Sequence, residues 1–343
     1  MIGLLVILAL LFLLLCGLLW AGSGKTVHEA QGSGIIEAIP AALEDEPSLP
    51  TGLLVILSYS LAYGLGPQRC SRAPADAAMV YDRLDHVIET IAASGADIAL
   101  LQEVDFASAR THDIDQLYYI ASALGWGYAA RALTWECRYL PYPCWPWGQP
   151  TGRLQAGMGV ISRYPLVQNV RQRLPQAYPY PLLSWRFAPQ HTVQMVDVQC
   201  GRHSLRLLNV HLEARHVAGR QRQMRALVRF VRNVHTTTSV LMGAFNCGVS
   251  SLDAVGDHDQ NTSAHSTMAL VTHELQDRFR MVPPQAGTSP SVAARYHLDH
   301  ALVGSGLSPL ETRLIPVDAS VSDHLPLVLY LRWTLPLMSL GAY

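Results

Sequence analysis

The chain of 343 residues is nearly devoid of lysine, because Lys25 is the only one, and its formal net charge is −1. No sequence-wide basic field is therefore available to hold a polyanion such as DNA, although a local basic patch is not excluded. Proline and glycine occur at ordinary levels, half of the residues are apolar, and no internal repeat is found. These properties indicate one large globular domain with an appendage rather than a disordered chain.

The first twenty residues, MIGLLVILALLFLLLCGLLW, contain no charged side chain. At about 1.5 Å of rise per residue, a helix of this length just crosses a hydrocarbon core of roughly 30 Å. A cleavable signal peptide usually has a positive n-region and a small-residue cleavage site, and neither is clear here. We therefore favour a retained transmembrane anchor or signal-anchor over residues 1–22, followed by a linker over 23–50.

The six cysteines do not decide the redox compartment. Cys137 and Cys144 flank an aromatic, proline-rich loop and could pair outside the cytoplasm, whereas both stay thiols in a reducing compartment. Three tryptophans lie in the same loop, residues 134–155: Trp135, Trp145 and Trp147. This composition fits a loop that enters lipid head groups or lines a cleft, and equally a stiff loop packed on its own domain.

Between residues 51 and 335 apolar runs alternate with helical patterns, which is typical of an α/β or α+β domain, and a tail covers 336–343. A 3.6-residue period predicts a helix capped by Asp76 and ended by Gly95, a second over about 113–124, and a third around Met224. Four arginines surround the third helix and are interpreted as a solvated face: Arg220, Arg222, Arg225 and Arg229.

Eight strands are predicted between these helices, and their number suggests two sheets. They are Leu53–Leu57, Ile98–Leu101, Met158–Ser162, Val193–Val198, Leu205–Val210, Val240–Met242, Leu298–Val303 and Leu327–Leu331. Polar residues gather where several of these strands end, in the segments QEVD, NVHLEA, GAFN, LDHALV and SDHLP. Strand ends along one rim of a sheet are where α/β folds concentrate their chemistry.

This ordered set of segments resembles the endonuclease/exonuclease/phosphatase family, over roughly residues 53–333. The resemblance implies a four-layer sandwich of two packed β-sheets with helices outside, and hydrolysis of a phosphate ester with Mg²⁺, Mn²⁺ or Ca²⁺. Members with an N-terminal membrane segment and an opening strand like SYSLAYG are the most similar. Hydrolysis of a phosphodiester builds negative charge, so a hard cation and hydrogen-bond donors suit the reaction.

The family pattern also implies roles for individual residues. Glu103 is the expected metal ligand, and Asp323 is a second ligand or acts through a coordinated water. The resemblance gives His324 an acid/base or phosphate-contacting role, with Asp299 orienting its ring, and directs His211 at the scissile phosphate. Asn246 is expected to donate its amide hydrogens to a phosphate oxygen.

Two positions depart from the family pattern. The family loop reads Gly-Asp-Phe-Asn, and its aspartate orients or deprotonates the attacking water, but this chain has Ala244 there. Ser60 likewise replaces an asparagine that supports the metal and phosphate site. Three interpretations follow: a laboratory variant of an active hydrolase built to trap substrate, a natural pseudoenzyme that still binds a phosphorylated ligand, or a slow enzyme that uses a nearby carboxylate. The candidate substitutes are Glu213, Asp253 and Asp257.

The expected function is thus a phosphodiesterase with reduced activity, and a lipid head group at the membrane is favoured as substrate over nucleic acid. A nuclease remains an alternative. The expected location is the bacterial inner membrane, with the domain on the extracytoplasmic side. A second cluster contains His and Asp in no recognised metal spacing, and we interpret it as an exposed loop leading into a helix rather than a zinc site. Its members are Asp257, His258, Asp259, His265 and His273.

Overall fold

The computed structural model describes residues 2–22, 31–33, 35–39, 52–67, 75–140, 151–178, 187–247 and 263–334. The helices in these ranges are α1 (Ile2–Gly22), α2 (Ala77–Ser94), α3 (Gln116–Ala123), α4 (Val217–Val234) and α5 (Ser263–Leu275). The first seven strands are β1 (Gln31–Ser33), β2 (Ile35–Ala38), β3 (Leu53–Ser60), β4 (Ile98–Asp105), β5 (Tyr128–Leu140), β6 (Gly152–Ser162) and β7 (Leu166–Arg173). The others are β8 (Thr192–Cys200), β9 (His203–His211), β10 (Ser239–Ala244), β11 (Phe279–Val282), β12 (Asp299–Gly304), β13 (Leu307–Leu314) and β14 (Leu327–Trp333).

The strands form two seven-stranded mixed sheets, which confirms the prediction of two sheets. The strand order is β13-β14-β3-β4-β6-β5-β2 in one sheet and β1-β7-β8-β9-β10-β12-β11 in the other. Each sheet has one parallel pair, β3 with β4 in the first and β9 with β10 in the second. Parallel strands end on the same edge, so each pair brings two strand ends together near the centre of its sheet.

Three large apolar cores separate four layers. The core between the sheets contains Ile56 and Leu100 from one sheet and Leu207 and Val240 from the other. A second core lies under α2 and α3, and a third lies under α4 and α5. Because both faces of the central strands are buried, these strands are nearly continuous apolar runs in the sequence. Burial of each large aliphatic side chain contributes roughly 1.5–3 kcal/mol to this packing.

The predicted helices are present, with one shifted start. Helix α2 has the predicted cap, Asp76, and ends at Gly95 in the left-handed conformation. Helix α3 starts at residue 116 rather than 113, because His112 and Asp113 both have positive φ angles and cannot continue a right-handed helix. Asp115 instead accepts the capping hydrogen bond from the backbone of the first turn.

The interpretation of the four arginines on α4 as a solvated face is wrong for Arg220. Its side chain is buried, and Nη1 donates to the carbonyl oxygens of Glu213 and Ala214, both at 2.9 Å. These carbonyls belong to the turn that enters α4 and need a donor once buried. The other three arginines are exposed, as expected: Arg222, Arg225 and Arg229.

The segment predicted as a linker over 23–50 contains secondary structure in its described part. Strand β1 pairs with β7, and β2 pairs with β5, so each extends an edge of a different sheet. Ile39 follows β2 and is buried in the core under α2 and α3. Unpaired edge strands present free backbone donors and acceptors, and a short extended segment satisfies them.

The segment predicted as a loop over 134–155 is partly a β-hairpin. Trp135 lies in β5, and its indole Nε1 donates to the carbonyl oxygen of Phe187 at 2.7 Å, so this ring packs on its own domain. Cys137 is buried beside the same residue. Cys144, Trp145 and Trp147 lie outside the described residues.

Helix α1 covers most of the segment predicted as an anchor. Among the helices in the described ranges, none is both long and apolar enough to cross a membrane. The anchor over residues 1–22 stays a prediction.

Candidate active site

The two parallel strand pairs place most of the predicted site residues. Ser60 ends β3 beside Gln102 of β4, and Glu103 follows directly. In the other sheet, His211 ends β9 opposite Ala244 at the end of β10. The carboxyl ends of neighbouring parallel strands are the usual location of ligand sites in α/β folds.

A buried histidine–carboxylate pair forms one part of the site. His324 Nδ1 lies 2.8 Å from Asp299 Oδ2, and both side chains are less than one-tenth exposed. Burial lowers the pKa of His324, but Asp299, and more weakly Asp323 and Glu103, outweigh it and raise this pKa to about 9. The pair therefore supplies an imidazolium that is charged at neutral pH, with Nε2 as the remaining donor.

Ser322 connects this pair to the opening strand. Its hydroxyl donates to the carbonyl oxygen of Ser60 at 2.6 Å and accepts from the backbone N–H of His324 at 3.1 Å. A single buried hydroxyl thus fixes the His324 backbone relative to the end of β3.

Glu103 lies at an irregularity in β4 and has a positive φ of 54°. Such a conformation is uncommon for residues other than glycine and is characteristic of functional sites. The Ser60 hydroxyl donates to Glu103 Oε2 at 3.3 Å, and His211 Nε2 lies 3.9 Å from Oε1. The residue is 5% exposed, so its carboxyl group is buried, with a hydroxyl and an imidazole among its neighbours.

Ala244 lies between two of the site residues. Its Cα is paired with that of His211 on one side and that of Asp299 on the other, and the residue is fully buried. The preceding Gly243 has a φ of 145°, and a Cβ built there would lie 2.1 Å from the carbonyl oxygen of Val210. The backbone of this loop is therefore closely packed, and a side chain at 244 starts from the centre of the site.

Asn246 also has a positive φ, 54°, and its backbone N–H donates to the carbonyl oxygen of Leu298 at 3.1 Å. Its side-chain Nδ2 donates to the carbonyl oxygen of Leu212 at 2.6 Å. One amide hydrogen is thus committed to holding the loop beside the end of β9. The role expected for this amide, donation to a phosphate oxygen, stays a prediction.

A buried amide network supports both strand ends from below. Gln102 Nε2 donates to Asn209 Oδ1 across the two sheets at 2.8 Å and contacts the Ser58 hydroxyl at 3.0 Å. Asn209 Nδ2 in turn contacts the carbonyl oxygens of Leu101 and Gly159 at 3.2 and 3.3 Å. These amides lie one residue before Glu103 and two before His211, so they fix the spacing of the sheets at the site.

The chain is similar to a known protein family in sequence and to solved structures in fold. The model of the Endonuclease/Exonuclease/phosphatase family matches residues 66–324. The chain belongs to this family. Its members are generally hydrolases that act on phosphate esters. No curated protein matches the chain in sequence.

Solved structures of the family share the fold. An endonuclease/exonuclease/phosphatase from Beutenbergia cavernae is 20% identical, with a TM-score of 0.62 over 82% of this chain and 72% of its own. The human Nocturnin catalytic domain, which has a bound sulfate anion, is 17% identical, with a TM-score of 0.55 over 88% and 97%. The family protein from Bacteroides vulgatus is 12% identical, with a TM-score of 0.52 over 82% and 99%.

Family members typically use a divalent metal ion, and the site contains oxygen atoms that could serve as its ligands. No group of three His, Cys, Asp or Glu side chains in the described ranges is arranged to hold a metal ion. Mg²⁺, however, needs only one or two protein carboxylates and keeps several waters. Glu103 fits that requirement, and half-buried Asp323 is close enough to influence the pKa of His324. Ser60 adds one neutral oxygen beside Glu103.

Of the carboxylates considered as substitutes for the missing aspartate, only Glu213 lies in the described residues. Its Oε2 is 3.3 Å from His191 Nε2, and its Oε1 accepts from the Arg215 backbone at 2.8 Å. Both oxygens therefore already have partners. Asp253 and Asp257 lie outside the described residues.

The cluster interpreted as an exposed loop is also largely outside the described residues, which exclude Asp257, His258 and Asp259. His265 and His273 lie in α5, and the structure describes the burial of His273 only. The preference for a loop over a zinc site stays a prediction.

Sequence reasoning missed several residues near the site. Ser322 stands two positions before His324, and its short, polar side chain is a signal for a backbone cap. Arg110 follows Asp105 by five residues and pairs with it, with Tyr63 and Trp135 against its guanidinium. Arg110 and Tyr63 lie in turns and Trp135 in β5, and contacts between side chains so far apart in the chain leave no local pattern in a sequence.

Proposed function

We propose that this chain is a divalent-metal-dependent phosphodiesterase scaffold whose own hydrolytic activity is reduced by Ala244 and Ser60. The observation that carries the proposal is the position of Ala244 between His211 and Asp299, with Glu103 and His324 in the same site. An aspartate at 244 would project a carboxylate from a fully buried backbone position into this group.

The remaining side chains have roles in binding and charge stabilisation. Glu103, with Asp323 directly or through a water, would hold Mg²⁺ or a similar ion, which would supply Lewis-acid stabilisation of the phosphoryl oxygens. The His324 imidazolium, oriented by Asp299, is able to donate from Nε2 to a phosphate or leaving-group oxygen. His211, 22% exposed, presents its ring at the end of β9.

Position 244, where the family pattern has an aspartate, supplies no group that activates water. An alanine methyl cannot accept a proton, and the loss of a positioned general base costs roughly 10²- to 10⁴-fold in rate. The Ser60 hydroxyl contacts Glu103 at 3.3 Å, so it substitutes in part for an asparagine amide. The chain is therefore proposed to bind a phosphate ester well and to cleave it slowly.

A membrane lipid head group, or another phosphorylated molecule at a membrane surface, is the proposed substrate. The apolar first twenty residues and the near-neutral charge support this choice over nucleic acid. Attachment through the N-terminal helix to the bacterial inner membrane, with the domain on the extracytoplasmic side, belongs to the same proposal.

A protein that binds a phosphorylated ligand without cleaving it is the second candidate. The observation that favours it is that Ser60 and Ala244 replace the family's asparagine and aspartate, while the Asp299–His324 pair is fully formed. A nuclease is the third candidate, and it would need a local basic surface in a chain without a global one.

The test is the restored variant Ser60→Asn/Ala244→Asp, compared with Ser60→Asn/Ala244→Asn as a control of equal size. Cleavage of bis(4-nitrophenyl) phosphate, phospholipid vesicles and single-stranded DNA is measured with and without Mg²⁺. We expect Mg²⁺-dependent cleavage by the aspartate variant, at roughly 10²- to 10⁴-fold the rate of the unsubstituted chain, and none of this gain with asparagine. Failure of the aspartate variant on every ester would reject the hydrolase scaffold and leave the binding protein.

A further inference from the structure

Arg110 is a cation near the site that the roles above leave unused. It lies in the short turn Ala109–Thr111 that follows β4. Its Nε and Nη2 donate to the two oxygens of Asp105 at 2.9 and 2.8 Å, and the Thr111 hydroxyl donates to the same carboxylate at 2.9 Å. Because Asp105 is fully buried, this bidentate pair fixes the plane of the guanidinium.

Two aromatic rings complete the surroundings of Arg110. The guanidinium carbon lies 4.1 Å from the ring centroid of Tyr63 and 5.3 Å from that of Trp135. The rings meet edge to face at 6.4 Å, and the Trp135 indole is itself held by the carbonyl oxygen of Phe187. Only 14% of the arginine side chain is exposed, so the rings and the carboxylate leave it little freedom.

The position of Tyr63 is imposed by an unusual backbone. Ala62, Tyr63 and Gly64 all have positive φ angles, 48°, 58° and 68°, directly after β3. Buried Gln116 holds this turn, because its Nε2 donates to the carbonyl oxygen of Tyr63 at 2.6 Å while its Oε1 accepts from the backbone of Asp105 at 3.0 Å. Strained backbone that is held by its surroundings is characteristic of functional sites.

Arg110 lies within electrostatic reach of the proposed metal ligand. Burial lowers its pKa, but Asp105 and, more weakly, Tyr63 and Glu103 outweigh burial and raise it. A guanidinium has five N–H groups, and Asp105 uses one on Nε and one on Nη2. No described residue accepts a hydrogen bond from Nη1, which leaves this end of the fork available to a ligand.

We infer that Arg110 is a substrate-binding residue. Its Nη1 donates to a non-bridging oxygen of a phosphate bound beside the proposed metal ligand Glu103. Asp105, Tyr63 and Trp135 act as positioning residues that keep the guanidinium in place before the ligand arrives. The inference rests on the proposed function and adds a fixed cation to it. A guanidinium that is already fixed suits phosphate because it loses little side-chain freedom on binding.

The experiment measures the binding of Mg²⁺ alone, and of inorganic phosphate in the presence of Mg²⁺, by titration calorimetry on the full chain. Arg110→Lys keeps the charge and removes the fork. The control is Arg131→Lys, because Arg131 is also paired with carboxylates, Glu37 and Asp115, and lies over an aromatic ring. Asp105→Asn/Arg110→Gln removes the pair together, so that no buried charge is left alone.

We expect Arg110→Lys to weaken phosphate binding about tenfold or more, because hydrogen bonds to charged groups are among the strongest in proteins. Mg²⁺ affinity should stay unchanged in Arg110→Lys and stay equal or rise in Asp105→Asn/Arg110→Gln, since a cation near Glu103 is lost. Arg131→Lys should leave both affinities unchanged.

A purely structural role for Arg110 predicts a different pattern. The inference would be overturned if Arg110→Lys bound phosphate as tightly as Arg131→Lys does. It would also be overturned if Arg110→Lys lost Mg²⁺ affinity, phosphate affinity and thermal stability in parallel. In both cases the proposed function stands. If the unsubstituted chain itself binds no phosphate with Mg²⁺, the proposed function fails first and the inference fails with it.

Discussion

The two parts of the active site differ in how completely their side chains are supported. On one side, His324 and Asp299 form a buried 2.8 Å contact that Ser322 secures from the backbone. On the other, Ala244 ends β10 with a methyl group, and Ser60 reaches Glu103 only through a 3.3 Å hydrogen bond. Groups that stabilise charge are present, whereas groups that prepare water are reduced, and binding and turnover are therefore expected to respond to different substitutions.

The largest expected effect concerns His324, in the part of the site whose side chains are fully supported. In the Ser60→Asn/Ala244→Asp background, His324→Ala should lower the rate of bis(4-nitrophenyl) phosphate cleavage by roughly 10²- to 10⁴-fold, as for other general acids. Steady-state kinetics should show the loss in kcat. A kcat within threefold of the parent variant would mean that His324 takes no part in the reaction.

A stability measurement separates the buried pair from an exposed one. Asp299→Ala leaves a buried imidazole without its partner and should lower the free energy of unfolding by about 3–5 kcal/mol. The control is Arg153→Ala, which breaks an exposed 2.8 Å pair with Asp113 and should cost at most about 1 kcal/mol. Denaturant unfolding checks both, and equal losses would remove the distinction between these pairs.

The amide network between the sheets should have an intermediate effect. Gln102→Met keeps the volume but leaves Ser58 and the Asn209 oxygen without their donor, at a cost of about 1–3 kcal/mol. Because Gln102 precedes Glu103, Mg²⁺ affinity should fall as well. A stability loss with unchanged Mg²⁺ affinity would show that the network supports the fold but not the site.

An effect confined to acid pH is expected at Glu213. Burial raises the pKa of this carboxyl, but contacts with His191 and with backbone N–H groups outweigh burial and lower it to about 2. The folded state thus binds the proton less tightly than the unfolded state, whose reference pKa is 4.5. The stabilisation is full above that value and is lost as the pH falls toward 2. Glu213→Gln should flatten unfolding free energy against pH in this window, and an unchanged slope would refute the assignment.

The sequence predicted the two-sheet core well, because strands buried on both faces contain apolar runs, such as Ile98–Leu101 in β4 and Val240–Met242 in β10. Edge strands were missed where pairing rather than composition decides the structure, as in β1 and β2 within the predicted linker. The candidate site residues at strand ends were predicted from their ordered segments, and the structure brings Glu103 close to His211 and Asp299 close to His324. Arg110 and its aromatic neighbours were not, because their contact depends on a left-handed turn after β3 that Gln116 holds from another helix.

The central claim is that one pocket gathers a metal-binding carboxylate, two imidazoles and an amide around a phosphate. Position 244 supplies no base to deprotonate the attacking water. A crystal structure of the unsubstituted chain with Mg²⁺ and inorganic phosphate tests it most directly. We predict the ion on Glu103 and the phosphate within hydrogen-bond distance of His211 and His324. Phosphate bound on another face of the domain, with the space between these side chains empty of both ligands, would contradict the account.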